Sequence, residues 1–186
     1  MKLALFRRTP RPDTIATLYG MIVAQARLPT FYRDYGVSDT VNGRFDMIVL
    51  HIALFLRRVG AEDAVTRAIG QRIFDRFCRD MDDNLREIGI GDLAVPKEMY
   101  RMADAFYGRA QAYEAALAAE GEQALVEAIG RNIYGQAAAP QEGAKWLAAY
   151  MRAAVDHLAT QKPEAFAVAE LSFPDPAGFV ISPALS

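Results

Sequence analysis

The residues best suited to chemistry are acidic side chains near the middle of the chain, at Asp80, Asp82 and Asp83. Clustered carboxylates are ligands that Ca²⁺ and Mg²⁺ prefer. As a calcium loop starting at Asp80, however, the segment has Leu85 where a glycine is required and Gly91 where the final glutamate is required. The spacing therefore does not predict a calcium site.

The same residues partly match an Asp-Asp-x-x-Asp motif for a magnesium-bound diphosphate. The motif would begin at Asp82 and Asp83, but Arg86 stands where its last carboxylate belongs. Asp82 lies four residues before Arg86, a spacing that lets the two pair on one face of a helix. We interpret the cluster as a salt-bridged helix face. A helical Mg-dependent enzyme that acts on a diphosphate or isoprenoid-type substrate through Asp82 and Asp83 stays as an alternative.

The histidines and the cysteine predict no catalytic centre. His51 and His157 have no His or Cys neighbours at a metal-ligand spacing. His51 lies in an apolar run, which favours a hydrogen-bonded core histidine, and a haem-handling protein using His51 is the second alternative. Cys78, the single cysteine, excludes an internal disulfide and is predicted to be a buried small hydrophobe. We predict no catalytic residue, no metal site and no cofactor.

A glycine-containing corner follows the acidic cluster. Residues 89–94 match a dinucleotide-binding pattern in their letters, but a helix and not a strand is predicted before them. We therefore predict that Gly89 adopts the left-handed position that ends a helix and that Gly91 permits a tight turn. Asp92 would then point outward.

Tyr107, Gly108 and Arg109 form a second unusual group. Glycine inside a helix costs about 1 kcal/mol relative to alanine. Two interpretations are open: close packing of another helix at Gly108, or a partner that docks across Tyr107 and Arg109.

Helices are predicted to position all of these residues. Apolar periodicity indicates six helices, at about 13–28, 45–59, 62–87, 96–117, 122–134 and 144–160, with a brief turn after Pro163. Asp13 is the predicted cap of the first helix, and Phe31, Tyr32 and Tyr35 form an aromatic cluster in the connection that follows. The run 45–59 is apolar on every face, which is typical of a buried central helix.

The third helix has the clearest pattern. Its core stripe steps by three or four residues and comprises Val65, Ile69, Ile73, Phe77, Met81, Leu85 and Ile88. Its opposite face carries four possible ion pairs, Asp75–Arg79, Arg76–Asp80, Arg79–Asp83 and Asp82–Arg86. We find no strand pattern. The predicted fold is all-α, a single-domain irregular bundle of about six helices with a central buried helix.

Composition and charge limit the function. The 186 residues include 21 basic and 23 acidic side chains, and this balance argues against a general polyanion binder and a specific nucleic-acid ligand. We predict a basic N-terminal arm over 1–12, a helical domain over 13–170 and an extended, proline-containing tail over 171–186. No secretory signal and no membrane span is evident, so we expect a cytoplasmic protein.

Long blocks of the sequence resemble the ubiquinol–cytochrome c chaperone family, the assembly factors of respiratory complex III. The similarity covers about residues 19–117 and continues more weakly to Tyr150. Its blocks are Tyr19-Gly20, 23–27, Phe31-Tyr32, Asp39-Thr40, 43–47, His51, 80–82, 85–92, 106–109 and Ala112-Tyr113.

The resemblance implies a helical, non-enzymatic chaperone that binds newly made cytochrome b. It also implies a small assembly partner protein or the ribosome as further partners, and a peripheral contact with the cytoplasmic face of the inner membrane. The chain lacks the long presequence of mitochondrial members and so resembles a bacterial member. We take as candidate partner-binding residues Arg44, Asp46, Asp80, Asp82, Asp83, Arg86, Glu87, Asp92, Tyr107 and Arg109.

Overall fold

The computed structural model describes residues 12–135 and 141–180. Over these residues it contains α-helices, one short 3-10 helix and no strand, which confirms the all-α prediction. The helices are α1 (Pro12–Ala26), α2 (Pro29–Arg33), α3 (Val41–Gly60), α4 (Ala64–Glu87), α5 (Val95–Ala118), α6 (Gln123–Ile133), α7 (Gln141–Thr160) and α8 (Pro163–Phe166), and the 3-10 helix spans Pro176–Phe179. One hydrophobic core joins them into a single domain.

Helix α3 lies at the centre of the fold, as predicted. Every residue over 46–52 is buried, and α1, α4, α5 and α7 pack around the helix. It begins at Val41, before the predicted start, because the Thr40 hydroxyl accepts the Gly43 backbone N–H at 3.2 Å and caps the helix. Gly43 is needed in that turn, since a Cβ there would collide with the backbone oxygen of Ser38.

Helix α4 has the predicted core stripe in its middle and departs from it at both ends. It begins at Ala64 because the Asp63 carboxylate accepts the Thr66 backbone N–H at 2.9 Å. The predicted core positions Val65 and Ile88 are wrong: their side chains are 39% and 73% exposed. Both lie at the ends of the helix, outside 66–81, the stretch that holds its buried residues.

The predicted ion pairs of α4 are only partly present. Arg86 Nε lies 2.7 Å from Asp82 Oδ2, as predicted. Arg76 and Asp80 do not pair with each other, because both meet Tyr19 of α1. The Tyr19 hydroxyl donates to Asp80 Oδ2 at 2.9 Å, and the Arg76 guanidinium lies 5.9 Å from the centre of the Tyr19 ring.

The first helix and the aromatic cluster differ in detail from prediction. Asp13 lies in the first turn of α1 and is not its cap, because the helix already begins at Pro12. The predicted aromatic connection contains the short helix α2. Phe31 and Tyr35 are buried, and the Phe31 ring contacts the Tyr150 ring edge-on at 5.0 Å, so this part of the cluster belongs to the core.

The C-terminal segment returns to the bundle. Tyr35 donates its hydroxyl hydrogen to the Pro176 carbonyl at 2.7 Å, and Phe173 and Phe179 pack against the core. Within the predicted extended tail, Pro176–Phe179 instead form one 3-10 turn, because the fixed φ of proline suits the first position of a helical turn. Residues 1–11 of the predicted N-terminal arm and Ile181 lie outside the described residues. The division of the chain into three parts stays a prediction.

Among the described residues, none of the helices combines the length and the apolar composition needed to span a bilayer.

Candidate recognition surface

The end of α4 and the start of α5 form a helical hairpin with little core of its own. We call residues 82–105 the hairpin tip. Val95 is the only buried residue in the tip, and the two helices pack against each other below it. A segment that buries so little gains little stability from its side chains, and such segments commonly serve recognition.

The glycine corner gives the tip its shape. Gly89 has φ +87°, and the N–H groups of Gly89 and Ile90 donate to the carbonyls of Arg86 and Leu85, each at 3.0 Å. These two bonds are a Schellman motif, which confirms the predicted left-handed cap. Gly91 accepts the Ala94 N–H at 2.7 Å and closes the next turn, without a positive φ of its own.

The acidic residues of the tip are partly paired and partly free. Arg86 bonds to both Asp82 and Asp92, so one guanidinium fastens the end of α4 to the following turn. Asp83 and Glu87 are exposed, and the structure gives neither an ion pair with another described residue. The predicted salt-bridged face therefore also presents uncompensated negative charge.

Asp80 lies below the tip and has a structural partner. It accepts the Tyr19 hydroxyl and links α4 to α1. Burial and this hydrogen bond raise the pKa of Tyr19, which keeps the phenol protonated as the donor. Asp80 is half-buried and contributes to the interface between the helices.

Four large apolar or aromatic side chains are exposed along the hairpin. The exposed fractions are 73% for Ile88, 100% for Leu93, 74% for Tyr100 and 59% for Tyr107. Tyr100 and Tyr107 are seven residues apart on α5 and so share one face of it. Our sequence reasoning placed Ile88 in the core and named neither Leu93 nor Tyr100 as a candidate. Tyr100 was recognisable from the sequence. Met99, Met102 and Phe106 are three and four residues apart and so share one face of the helix, and Tyr100 lies outside that face.

Gly108 decides between the two interpretations of its helix position. It is exposed, and a Cβ added to it would meet nothing within 4 Å. Close packing of another helix at Gly108 is therefore wrong for the described part of the chain. The neighbouring Tyr107 ring rests on Phe74 of α4, with ring centres 5.6 Å apart, and leaves its outer side open to a partner.

Arg109 and Asp46 point inward, to each other. Arg109 Nη2 lies 2.8 Å from Asp46 Oδ1, and the two side chains form an ion pair across the α3–α5 interface. Burial raises the pKa of Asp46 to about 6, although Arg109 acts to lower it. The Tyr113 hydroxyl is buried near this pair and has no hydrogen-bond partner among the described residues. Asp46 is only 7% exposed, so we assign the pair to α3–α5 packing and not to a partner contact.

Arg44 lies in a different part of the surface. Its Nε is 2.6 Å from Asp39 Oδ1, and this bond holds the pKa of the Asp39 carboxyl below its usual range. Both residues line an open cleft of about 480 Å³ together with Arg27, Tyr32 and Arg33. The structure thus brings Asp82, Asp83, Arg86, Glu87, Asp92 and Tyr107 together on one hairpin and separates Arg44 from them.

His51 has both ring nitrogens engaged in the core. Nδ1 lies 2.8 Å from the Met47 carbonyl and Nε2 lies 2.8 Å from the Tyr150 hydroxyl. Burial lowers the pKa of His51 to about 4, so the ring is neutral at pH 7. A haem iron could take Nε2 only after the bond to Tyr150 broke, and the geometry does not favour the haem-handling alternative.

The described residues do not support the magnesium alternative either. Over 12–135 and 141–180, the structure brings no three His, Cys, Asp or Glu side chains into an arrangement that could hold a metal ion. Asp82 is bonded to Arg86, which occupies the position of the missing third carboxylate.

Comparison with known proteins identifies the family. No curated protein matches the chain. The family model described as "Ubiquinol-cytochrome C chaperone" matches residues 33–173. Among solved structures, the "Crystal structure of the Cbp3 homolog from Brucella abortus" is similar, with a TM-score of 0.81 and 42% sequence identity. The match covers 89% of this chain and 91% of that one.

The match to the family model includes α3 to α8 and the hairpin tip, and the solved homologue extends the likeness over most of the chain. This chain belongs to the ubiquinol–cytochrome c chaperone family.

Proposed function

We propose that the protein is an assembly chaperone for ubiquinol–cytochrome c reductase, complex III, and that it binds newly made cytochrome b. The observation that carries the proposal is the family match over 33–173, since the family is named for this enzyme complex. A chaperone acts by holding its client, so the function needs an exposed recognition surface and no reacting group.

The hairpin tip supports this proposal because it offers such a surface. Asp83, Glu87 and Asp92 present negative charge on it, and Tyr107 adds an aromatic ring beside it. Aromatic side chains supply large contact area at low cost in conformational entropy. Charged groups at the edge of an interface mainly set partner choice and association rate. We propose these residues, with Asp82 and Arg86, as the contact set.

The site is proposed to work without catalysis and without a bound cofactor. We propose that the protein acts at the cytoplasmic face of the inner membrane, where a newly made subunit of complex III emerges. A small partner protein or the ribosome would hold it there, and the basic residues Lys2, Arg7, Arg8 and Arg11 would attract anionic lipid.

Gene deletion tests the function directly. Complex III and cytochrome b should be lost from membranes of the deletion strain, while other respiratory complexes remain. Plasmid-borne wild-type protein should restore them. An unchanged level of assembled complex III in the deletion strain would contradict the proposal.

A further inference from the structure

We propose that the hairpin tip binds a segment of the client that is both basic and apolar, of the kind found where a membrane-spanning helix meets its positively charged flank. This inference rests on the proposed function for the identity of the client. It names the part of the chaperone that binds the client and the chemistry that the bound client segment must have.

The tip exposes large apolar side chains. Leu93 is fully exposed, and the side chains of Ile88 and Tyr100 are about three-quarters exposed. Large apolar side chains grouped on one small element commonly mark an interaction site. Val95, at the start of α5, is the one side chain that the tip buries, and the exposed residues are open to a partner in the folded hairpin.

The tip also carries an excess of acidic side chains. The tip has three basic side chains, Arg86, Lys97 and Arg101, against six acidic ones, Asp82, Asp83, Glu87, Asp92, Glu98 and Asp104. Arg86 and Arg101 are already engaged with acids of the tip. Asp83, Glu87 and Asp104 are exposed, and none of them has an ion pair within the described residues. A ligand that neutralises these three carboxylates has to carry positive charge.

Charge is also divided along α4. The first two-thirds of the helix, 64–79, contains four arginines and one acid, Asp75. Its last turns, 80–87, contain four acids, Asp80, Asp82, Asp83 and Glu87, and one arginine, Arg86. A basic ligand is therefore attracted to the tip and disfavoured along the rest of the helix. Such a separation orients an approaching partner.

A membrane protein supplies matching chemistry at the ends of its spanning helices. Loops on the cytoplasmic side carry an excess of Lys and Arg, and they adjoin strongly apolar helices. A client held before or during insertion presents these two properties side by side. An apolar segment alone would leave the acids of the tip unpaired, and a basic segment alone would leave Leu93 and Tyr100 uncovered.

Peptide binding to the full chain provides the first test. The probe is a synthetic peptide with a leucine-rich half followed by a lysine- and arginine-rich half. One matched peptide has Glu in place of each Lys and Arg, and another has Ser in place of each Leu. Fluorescence anisotropy should show binding of the probe, and each matched peptide should bind about tenfold more weakly or worse. Equal binding of all three peptides would overturn the proposal.

Substitutions in the tip test whether the probe peptide binds there. Asp83→Asn, Glu87→Gln and Asp104→Asn together remove the free acids, and the charge-matched control is Glu120→Gln, Asp156→Asn and Glu170→Gln, all at exposed positions. Leu93→Ser with Tyr100→Ser removes the apolar group, and Val41→Ser with Val168→Ser is its exposed control. Each tip variant should bind the probe peptide about tenfold more weakly than the wild type, and the controls should bind it as the wild type does. Equal weakening by tip and control variants would overturn the assignment.

Two further outcomes separate this inference from the proposed function. If tip variants capture newly made cytochrome b from cells as well as the wild type does, the tip is not the contact site, although the chaperone function stands. If the wild type self-associates and the tip variants do not, the tip belongs to a second copy of the chain, and the inference is overturned.

Discussion

Asp46 and Arg109 show that a charged side chain in this protein can serve packing between helices and not partner contact. Both stand among candidates for partner contact by sequence, yet the structure turns them toward each other beneath the surface. The sequence held a signal for this. Arg109 stands three residues after Phe106 and four before Tyr113, both buried positions of α5, so helical periodicity places it on the core side. Asp46 lies within the apolar helix α3.

The raised pKa of the Asp46 carboxyl predicts how the stability of the protein depends on pH. Its folded-state pKa of about 6 lies above its unfolded value of about 3.9. The folded protein therefore binds more protons between pH 4 and 6, and the contribution of Asp46 to stability decreases as the pH rises through that range. We expect Asp46→Asn to remove a change on the order of 2 kcal/mol in the free energy of unfolding between pH 4 and 7.

Urea unfolding at a series of pH values measures this change, and the difference between wild type and variant isolates it. His51 is buried neutral, with a pKa lowered to about 4, and so contributes the opposite slope below pH 6.5 in both proteins. Asp156→Asn, at an exposed carboxyl, is the control. If the free energies of unfolding of wild type and Asp46→Asn changed in parallel with pH, the Asp46 carboxyl would have its ordinary pKa in the folded protein.

At the scale of elements, the α4–α5 hairpin depends on one glycine conformation. Gly89 has φ +87°, whereas Gly91 has no positive φ, and neither has a neighbour within 4 Å of an added Cβ. A side chain at Gly89 meets only backbone strain, and at Gly91 it meets neither strain nor collision. We expect Gly89→Ala to lower the free energy of unfolding by about 1 kcal/mol and Gly91→Ala to leave it nearly unchanged.

Thermal and urea unfolding of the two alanine variants provide the measurement, with Gly91→Ala as the matched control. Equal destabilisation by the two substitutions would mean that the left-handed cap at Gly89 does not hold the corner.

The sequence predicted the local features of these elements but not how the elements are placed relative to one another. Local chemistry was sufficient for the Gly89 cap and for the core positions Ile69, Ile73 and Phe77, because periodicity and turn preference act within a few residues. Tertiary placement was not predictable from the same pattern. Ile88 continues the stripe of α4, yet none of the described elements covers the end of that helix. The full exposure of Leu93 depends on how the turn after Gly91 is oriented.

At the scale of the whole molecule, one packed core carries an exposed hairpin. The central α3 and the returning C-terminal segment bury His51, Tyr35 and Tyr150 in one hydrogen-bonded and aromatic cluster. The hairpin tip, by contrast, buries only Val95. A chaperone benefits from this division, because the core fixes the position of the surface while the surface stays free to bind.

The central claim is that this protein binds newly made cytochrome b through the hairpin tip. Its most direct test is a pull-down of the tagged full chain from cells that are pulse-labelled while they assemble complex III. We expect labelled cytochrome b to co-purify with the wild type, and the Leu93→Ser, Tyr100→Ser variant to recover about tenfold less. The Val41→Ser, Val168→Ser control should recover as much as the wild type. Absence of labelled cytochrome b from the wild-type pull-down would contradict the account.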